Sequence, residues 1–128
     1  MIDPDPKAIA RKLGPERCAS ALAAYVAPCP TSFRACVVAR IYGVPGELRT
    51  AMKQYEREHG IRDDEMWPAL LGLTEDEVDW LTTAYDCEFG VCLWAKNSPE
   101  HYARFRAFSV AFREALEEEA AKVAPVYA

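Results

Sequence analysis

Apolar residues recur along this chain at spacings of three and four, and the period-two alternation of a half-buried strand is missing throughout. Ile9 and Leu13 mark a short helix over Pro6–Leu13, stopped by Gly14-Pro15. Pro15 opens a second helix that runs to about Ala27 and is small or apolar almost all round. Such a helix is expected at the centre of a fold, where its alanines let neighbouring backbones approach. Pro28-Cys29-Pro30 breaks it, and Thr31 or Ser32 caps a third helix that ends at Gly43 with Phe33, Val37 and Ile41 in one stripe. Val44-Pro45 starts a fourth, closed by Gly60. Leu48, Met52, Tyr55 and His59 share one of its faces, and Arg49, Lys53, Gln54, Glu56 and Arg57 the other.

A fifth, short helix starts at Asp63 or Asp64, with Met66, Leu70 and Leu71 as its apolar positions; Pro68 is tolerable there only in the first turn. Gly72-Leu73-Thr74 makes a turn. Thr74-Glu75-Asp76-Glu77 then has the S/T-x-x-E form of a capping box, in which Thr74 accepts from a free backbone N–H and Glu77 reaches back. In the helix that follows, Val78, Leu81, Tyr85 and Phe89 form one row and Trp80, Ala84, Cys87 and Val91 a second, until Gly90 ends or bends it. Ser98-Pro99-Glu100 supplies a cap, a proline at the first position and an acid in the first turn. The last helix runs from Pro99 to about Val123 and buries Tyr102, Phe105, Phe108, Phe112 and Leu116. The pattern predicts an all-α fold: one compact helical bundle over residues 1–128, with six or seven helices around the second and the last.

The layout around Gly72 resembles the helix-turn-helix of Cro/repressor-type DNA-binding domains, whose second helix enters the major groove. That role needs cations to meet phosphate. Here Glu75, Asp76, Glu77 and Asp79 fill the first turns, and no Lys or Arg occurs between Glu65 and Lys96. The segment carries the supersecondary pattern with the wrong charge for its usual work.

Charge sharpens this. With 128 residues and a formal net charge of −5, the chain has too few positive patches for a broad phosphate-binding or membrane-adsorbing surface. No apolar run reaches the length that crosses a bilayer, and Met1-Ile2-Asp3-Pro4-Asp5-Pro6 is not a secretory signal, so no membrane partner and a cytoplasmic location are expected. Cys18, Cys29, Cys36, Cys87 and Cys92 are odd in number, which points to free thiols in a reducing compartment.

Candidate chemistry is sparse. Cys87 and Cys92 are the one close cysteine pair, and on a continuous helix their side chains would diverge by about 140°. Buried cysteines acting as small hydrophobes are the expectation, with neither metal nor cofactor. His59, beside Glu58 at a helix end, and His101, near Glu100, read as structural or surface residues. No phosphate loop, nucleophile elbow or zinc-protease pattern is present, so no catalytic residues are assigned and enzyme activity is not expected. Arg104, Arg106 and Arg113 form a basic patch on the last helix, with Arg113–Glu117 as an i,i+4 pair. The acidic runs are more informative. Asp63, Asp64 and Glu65 on one side of the turn and Glu75, Asp76 and Asp79 on the other, with Trp67 and Trp80 as aromatic anchors, make a candidate partner-binding surface. The leading expectation is a non-enzymatic acidic binding protein, an adaptor or inhibitor occupying a basic surface of a protein or nucleoprotein, without direct nucleic-acid binding. A helix-turn-helix transcription regulator is the alternative, and a thiol or metal sensor built on Cys87 and Cys92 a lesser one.

Overall fold

The computed structural model describes residues 3–26, 34–43, 45–60, 63–89 and 97–122. Helices take 86% of these residues and no strand occurs among them, so the architecture is all-α. In chain order the helices are α1 (Pro6–Leu13), α2 (Pro15–Val26), α3 (Arg34–Tyr42), α4 (Pro45–His59), α5 (Asp63–Leu71), α6 (Glu75–Glu88) and α7 (Pro99–Ala120).

Local chemistry sets several of these boundaries. The Asp5 carboxylate accepts from the Lys7 N–H at 3.0 Å, and Pro6 follows at the first helical position of α1, where its missing N–H costs no bond. Between α5 and α6 every residue has a task. Gly72 takes a left-handed φ of 70°, and the Leu73 N–H returns to the Pro68 carbonyl at 3.0 Å, closing α5 in a Schellman arrangement while the Leu73 side chain enters the core. Thr74 then caps α6. Its hydroxyl accepts from the Glu77 N–H at 3.1 Å and the Glu77 carboxylate accepts from the Thr74 N–H at 2.9 Å, the reciprocal box expected from the sequence.

One apolar cluster joins the helices. α6 contributes Val78, Trp80, Leu81, Ala84, Tyr85 and Cys87, so both of its predicted rows are buried. α7 lays Phe105, Phe108, Phe112 and Leu116 against it; the Trp80 ring meets Phe105 at 4.6 Å and Phe108 at 5.5 Å between centroids. α1 adds Ile9, Ala10 and Leu13, and α2 adds Cys18, Ala21 and Ala24.

Some expectations are corrected. α2 is not buried all round: Ala19 and Ala23 face outward and Val26 is 87% exposed. Alanine is a strong helix former that tolerates either side, so an Ala-rich run does not report depth. Tyr102, expected to be buried, is half-buried. The side chains of Phe33, Cys36 and Val37 lie outside the described residues, and Val38 and Ile41 seal the inner face of α3. Pro68 lies mid-helix in α5, not in its first turn; it is buried, and a short helix loses only one backbone bond there. Ser98 makes no side-chain cap to α7; its hydroxyl pairs with His101 Nδ1 at 2.5 Å.

Candidate functional site

The structure seats both expected aromatic anchors in the core. Trp67 and Trp80 are 7% and 5% exposed, so neither ring can anchor a partner. For Trp80 the phenylalanines of α7 provide the seat. Of the first acidic run, Glu65 is the member whose side chain is described. Glu65 is exposed but stands near the start of α5, about 10 Å along the helix from Gly72 at 1.5 Å per residue. The Asp63 and Asp64 side chains lie outside the described residues.

What remains is the outer stripe of α6. Glu75, Asp76 and Asp79 are exposed, Thr83 and Asp86 are half-buried, and the helix carries no Lys or Arg. Glu75 and Asp76 stand in the first turn, where the helix dipole favours negative charge. Asp86 differs from its neighbours: burial pushes its carboxyl up to about 6. A DNA-reading helix would need cations here, and the stripe offers only carboxylates and a hydroxyl.

The acids that face inward are matched. Glu77, 7% exposed, accepts from Lys12 Nζ at 2.7 Å as well as from the cap. Burial alone would raise its carboxyl, but the Lys12 ammonium and the Thr74 N–H outweigh burial and hold it below the ordinary value of 4.5. At the other end of α6, Glu88 Oε2 accepts from Arg106 Nη1 at 2.7 Å and from the Ser109 hydroxyl at 3.1 Å, while Oε1 accepts from Arg113 Nη2 at 2.9 Å. The Arg113 guanidinium lies 4.6 Å from the Tyr25 ring centroid, and its Nε is left without a hydrogen-bond partner among the described residues. Burial pushes the Tyr25 phenol up to about 12, against the opposing Ser109 hydrogen bond and Arg113 charge.

This cluster dissolves the predicted basic patch. Arg113 pairs with Glu88 of α6, not with Glu117 along its own helix, and Arg106 shares the same acid. Arg104 pairs with Asp3 and lies 5.5 Å from the Trp80 ring centroid. Glu88 was absent from the sequence expectations. The signal available was an acid at a helix C-terminus, where the dipole disfavours it, together with Arg106, Ser109 and Arg113 spaced on one face of α7.

The cysteines also differ from expectation. Cys87 is 1% exposed and disulfide-bonded, to a side chain outside those described. The divergence argued for a continuous helix does not apply, because α6 ends at Glu88, before Gly90. A cysteine engaged in a disulfide has no thiolate to offer a metal, and no group of three or more potential metal ligands occurs among the described residues. Cys29 and Cys92 lie outside those residues. A crevice of about 80 Å³ between α1 and α7, bordered by Lys7, Arg11, Glu118, Glu119 and Lys122, is smaller than pockets that enclose organic ligands. Among the described residues no helix is long and apolar enough to cross a membrane. No family model, curated protein or solved structure matches this chain.

Proposed function

We propose that this chain is a non-enzymatic binding protein, an adaptor or inhibitor whose acidic α6 face occupies a basic surface on a protein or nucleoprotein partner. One observation carries the reading: the outer stripe of α6 has a single sign, with Glu75, Asp76 and Asp79 exposed and no cation on the helix. The inward acids Glu77 and Glu88 are neutralised by Lys12, Arg106 and Arg113, so the outward ones are not needed to balance the core. A net charge of −5 adds long-range attraction toward a basic partner. The tryptophans are not part of this surface, and its contacts are those of a charged rim, which act chiefly on the association rate.

The test uses a labelled oligolysine peptide and duplex DNA, each titrated with the protein at low salt and followed by fluorescence anisotropy. The peptide binds with an affinity that falls as salt rises, and Glu75→Gln/Asp76→Asn/Asp79→Asn weakens it about ten-fold or more. Glu77 is left in place because it caps α6. A control that removes the same charge elsewhere, Glu114→Gln/Glu117→Gln/Glu118→Gln, retains binding. Equal losses in both variants would reduce the stripe to a solvated face. Salt-dependent binding of the DNA would favour the helix-turn-helix regulator instead.

A further inference from the structure

The crevice between α1 and α7 differs in charge from the molecule around it. Its floor is Ala10 and Ala115, both buried, whose short side chains leave space that larger ones would fill. Its rim carries Lys7 and Arg11, an i,i+4 pair on one face of α1, with Glu118, Glu119 and Lys122 opposite. Glu119 is 9% exposed and accepts from Lys122 Nζ at 2.8 Å, so these two charges offset each other. Lys12, Arg104, Arg106 and Arg113 are each held by a carboxylate, whereas Lys7 and Arg11 make no ion pair among the described residues. Two cations therefore face one exposed acid, Glu118, and the crevice is positive in a chain of net charge −5.

We propose that this crevice binds inorganic phosphate as the hydrogen phosphate ion, held by Lys7 and Arg11 with its hydroxyl turned to Glu118. Size and charge both select a small oxyanion. The space is about 80 Å³, and one water needs roughly 10–15 Å³ of such space. There is room for a central atom with its oxygens and none for a nucleotide. Arg11 offers a planar fork of N–H donors and Lys7 a mobile ammonium, the two kinds of cation that recognise phosphate. Glu118 decides among the oxyanions. An ionised carboxylate only accepts hydrogen bonds. Hydrogen phosphate carries an O–H and donates to it. Sulfate has no proton to give, and a phosphate monoester, whose second pKa is about 6, has lost its own above neutrality; both meet Glu118 as bare charge.

The full chain is titrated with inorganic phosphate, sulfate and methyl phosphate at mildly alkaline pH, with sodium chloride holding the ionic strength constant and calorimetry as the readout. Phosphate binds saturably, one ion per chain, and the other two bind about ten-fold more weakly or worse. Arg11→Gln and Lys7→Gln each weaken phosphate about ten-fold, the loss of one charge-assisted hydrogen bond. Lys53→Gln, which removes the same charge from α4, leaves binding unchanged. Glu118→Gln, whose amide also donates, erases the preference by strengthening sulfate. All four side chains are exposed, so the variants keep the wild-type thermal midpoint. Absence of saturable phosphate binding, equal affinity of the wild type for sulfate or methyl phosphate, or an equal loss in Lys53→Gln would overturn the proposal.

Discussion

α4 and α6 are nearly equal in length, 15 and 14 residues, and both read as amphipathic helices, yet they occupy opposite extremes of the fold. α6 buries eight side chains, including the polar Glu77 and Thr82, whereas along α4 Leu48 is the one buried side chain among those described. Met52 and Tyr55, on the same apolar face, are half-buried, and His59 is exposed against the Tyr55 ring. The difference teaches that periodicity reports which face turns inward and not how deep it goes. Depth depends on what the other helices supply. α6 has aromatic neighbours from α7 on one side and cations from α1 and α7 at its two ends; α4 packs mainly against α3 and α5.

The largest expected effect comes from hollowing the deeper helix. Leu81→Ala in α6 should cost about 3 kcal/mol by denaturant unfolding, while Met52→Ala in α4 should cost under about 1 kcal/mol. Similar losses would mean that the two helices contribute equally to the core. Next comes the local contrast in opening. Amide exchange should be slow through the middle of α6 and faster along α4, whose outer turns are solvated; equal protection would contradict the difference in burial.

A smaller effect separates the inward from the outward acids. Glu77→Gln keeps an acceptor for the Thr74 N–H and loses the ion pair with Lys12, and it should cost about 1–2 kcal/mol at pH 7. Because the folded state holds Glu77 below its ordinary 4.5, its contribution is complete above that pH and fades as pH falls through the lowered value. The gap between wild type and variant should therefore narrow on acidification. A gap that widened would reverse the assignment. The smallest effect has the opposite sign. Asp86, raised to about 6, favours folding in its protonated form, fully below about 3.8, and that gain is lost as pH rises through 6. Asp86→Asn should thus stabilise the protein at pH 7 by on the order of 1 kcal/mol after allowance for solvent screening, and by little at pH 3.

Much of this fold was legible because its instructions are local. Pro6, Gly14, Pro15, Gly43, Gly60 and the Thr74–Glu77 box act within one turn of themselves, and the helix limits follow from them. The candidate site was legible only in part, since its acids are visible as composition and its aromatics are not placed by it. Trp80 looks the same in sequence whether it meets solvent or Phe105, a residue twenty-five positions away on another helix. Lys12 with Glu77 and Arg113 with Glu88 are likewise pairings over distances at which periodicity is silent. The disulfide at Cys87 was hidden by parity, because a count cannot tell a buried spare from a bonding partner.

The seating of α1 and α2 against α7 has a consequence for how the chain is made. α2 ends at Val26, and the helix that covers much of its inner face begins only at Pro99. A ribosome delivers the first two helices well before their cover exists, so Ile9, Leu13 and the Ala21–Ala24 stripe must wait only partly covered while most of the chain is translated. Completion of the core is therefore a late event, and the nascent chain is most vulnerable to aggregation in the interval before α7 emerges.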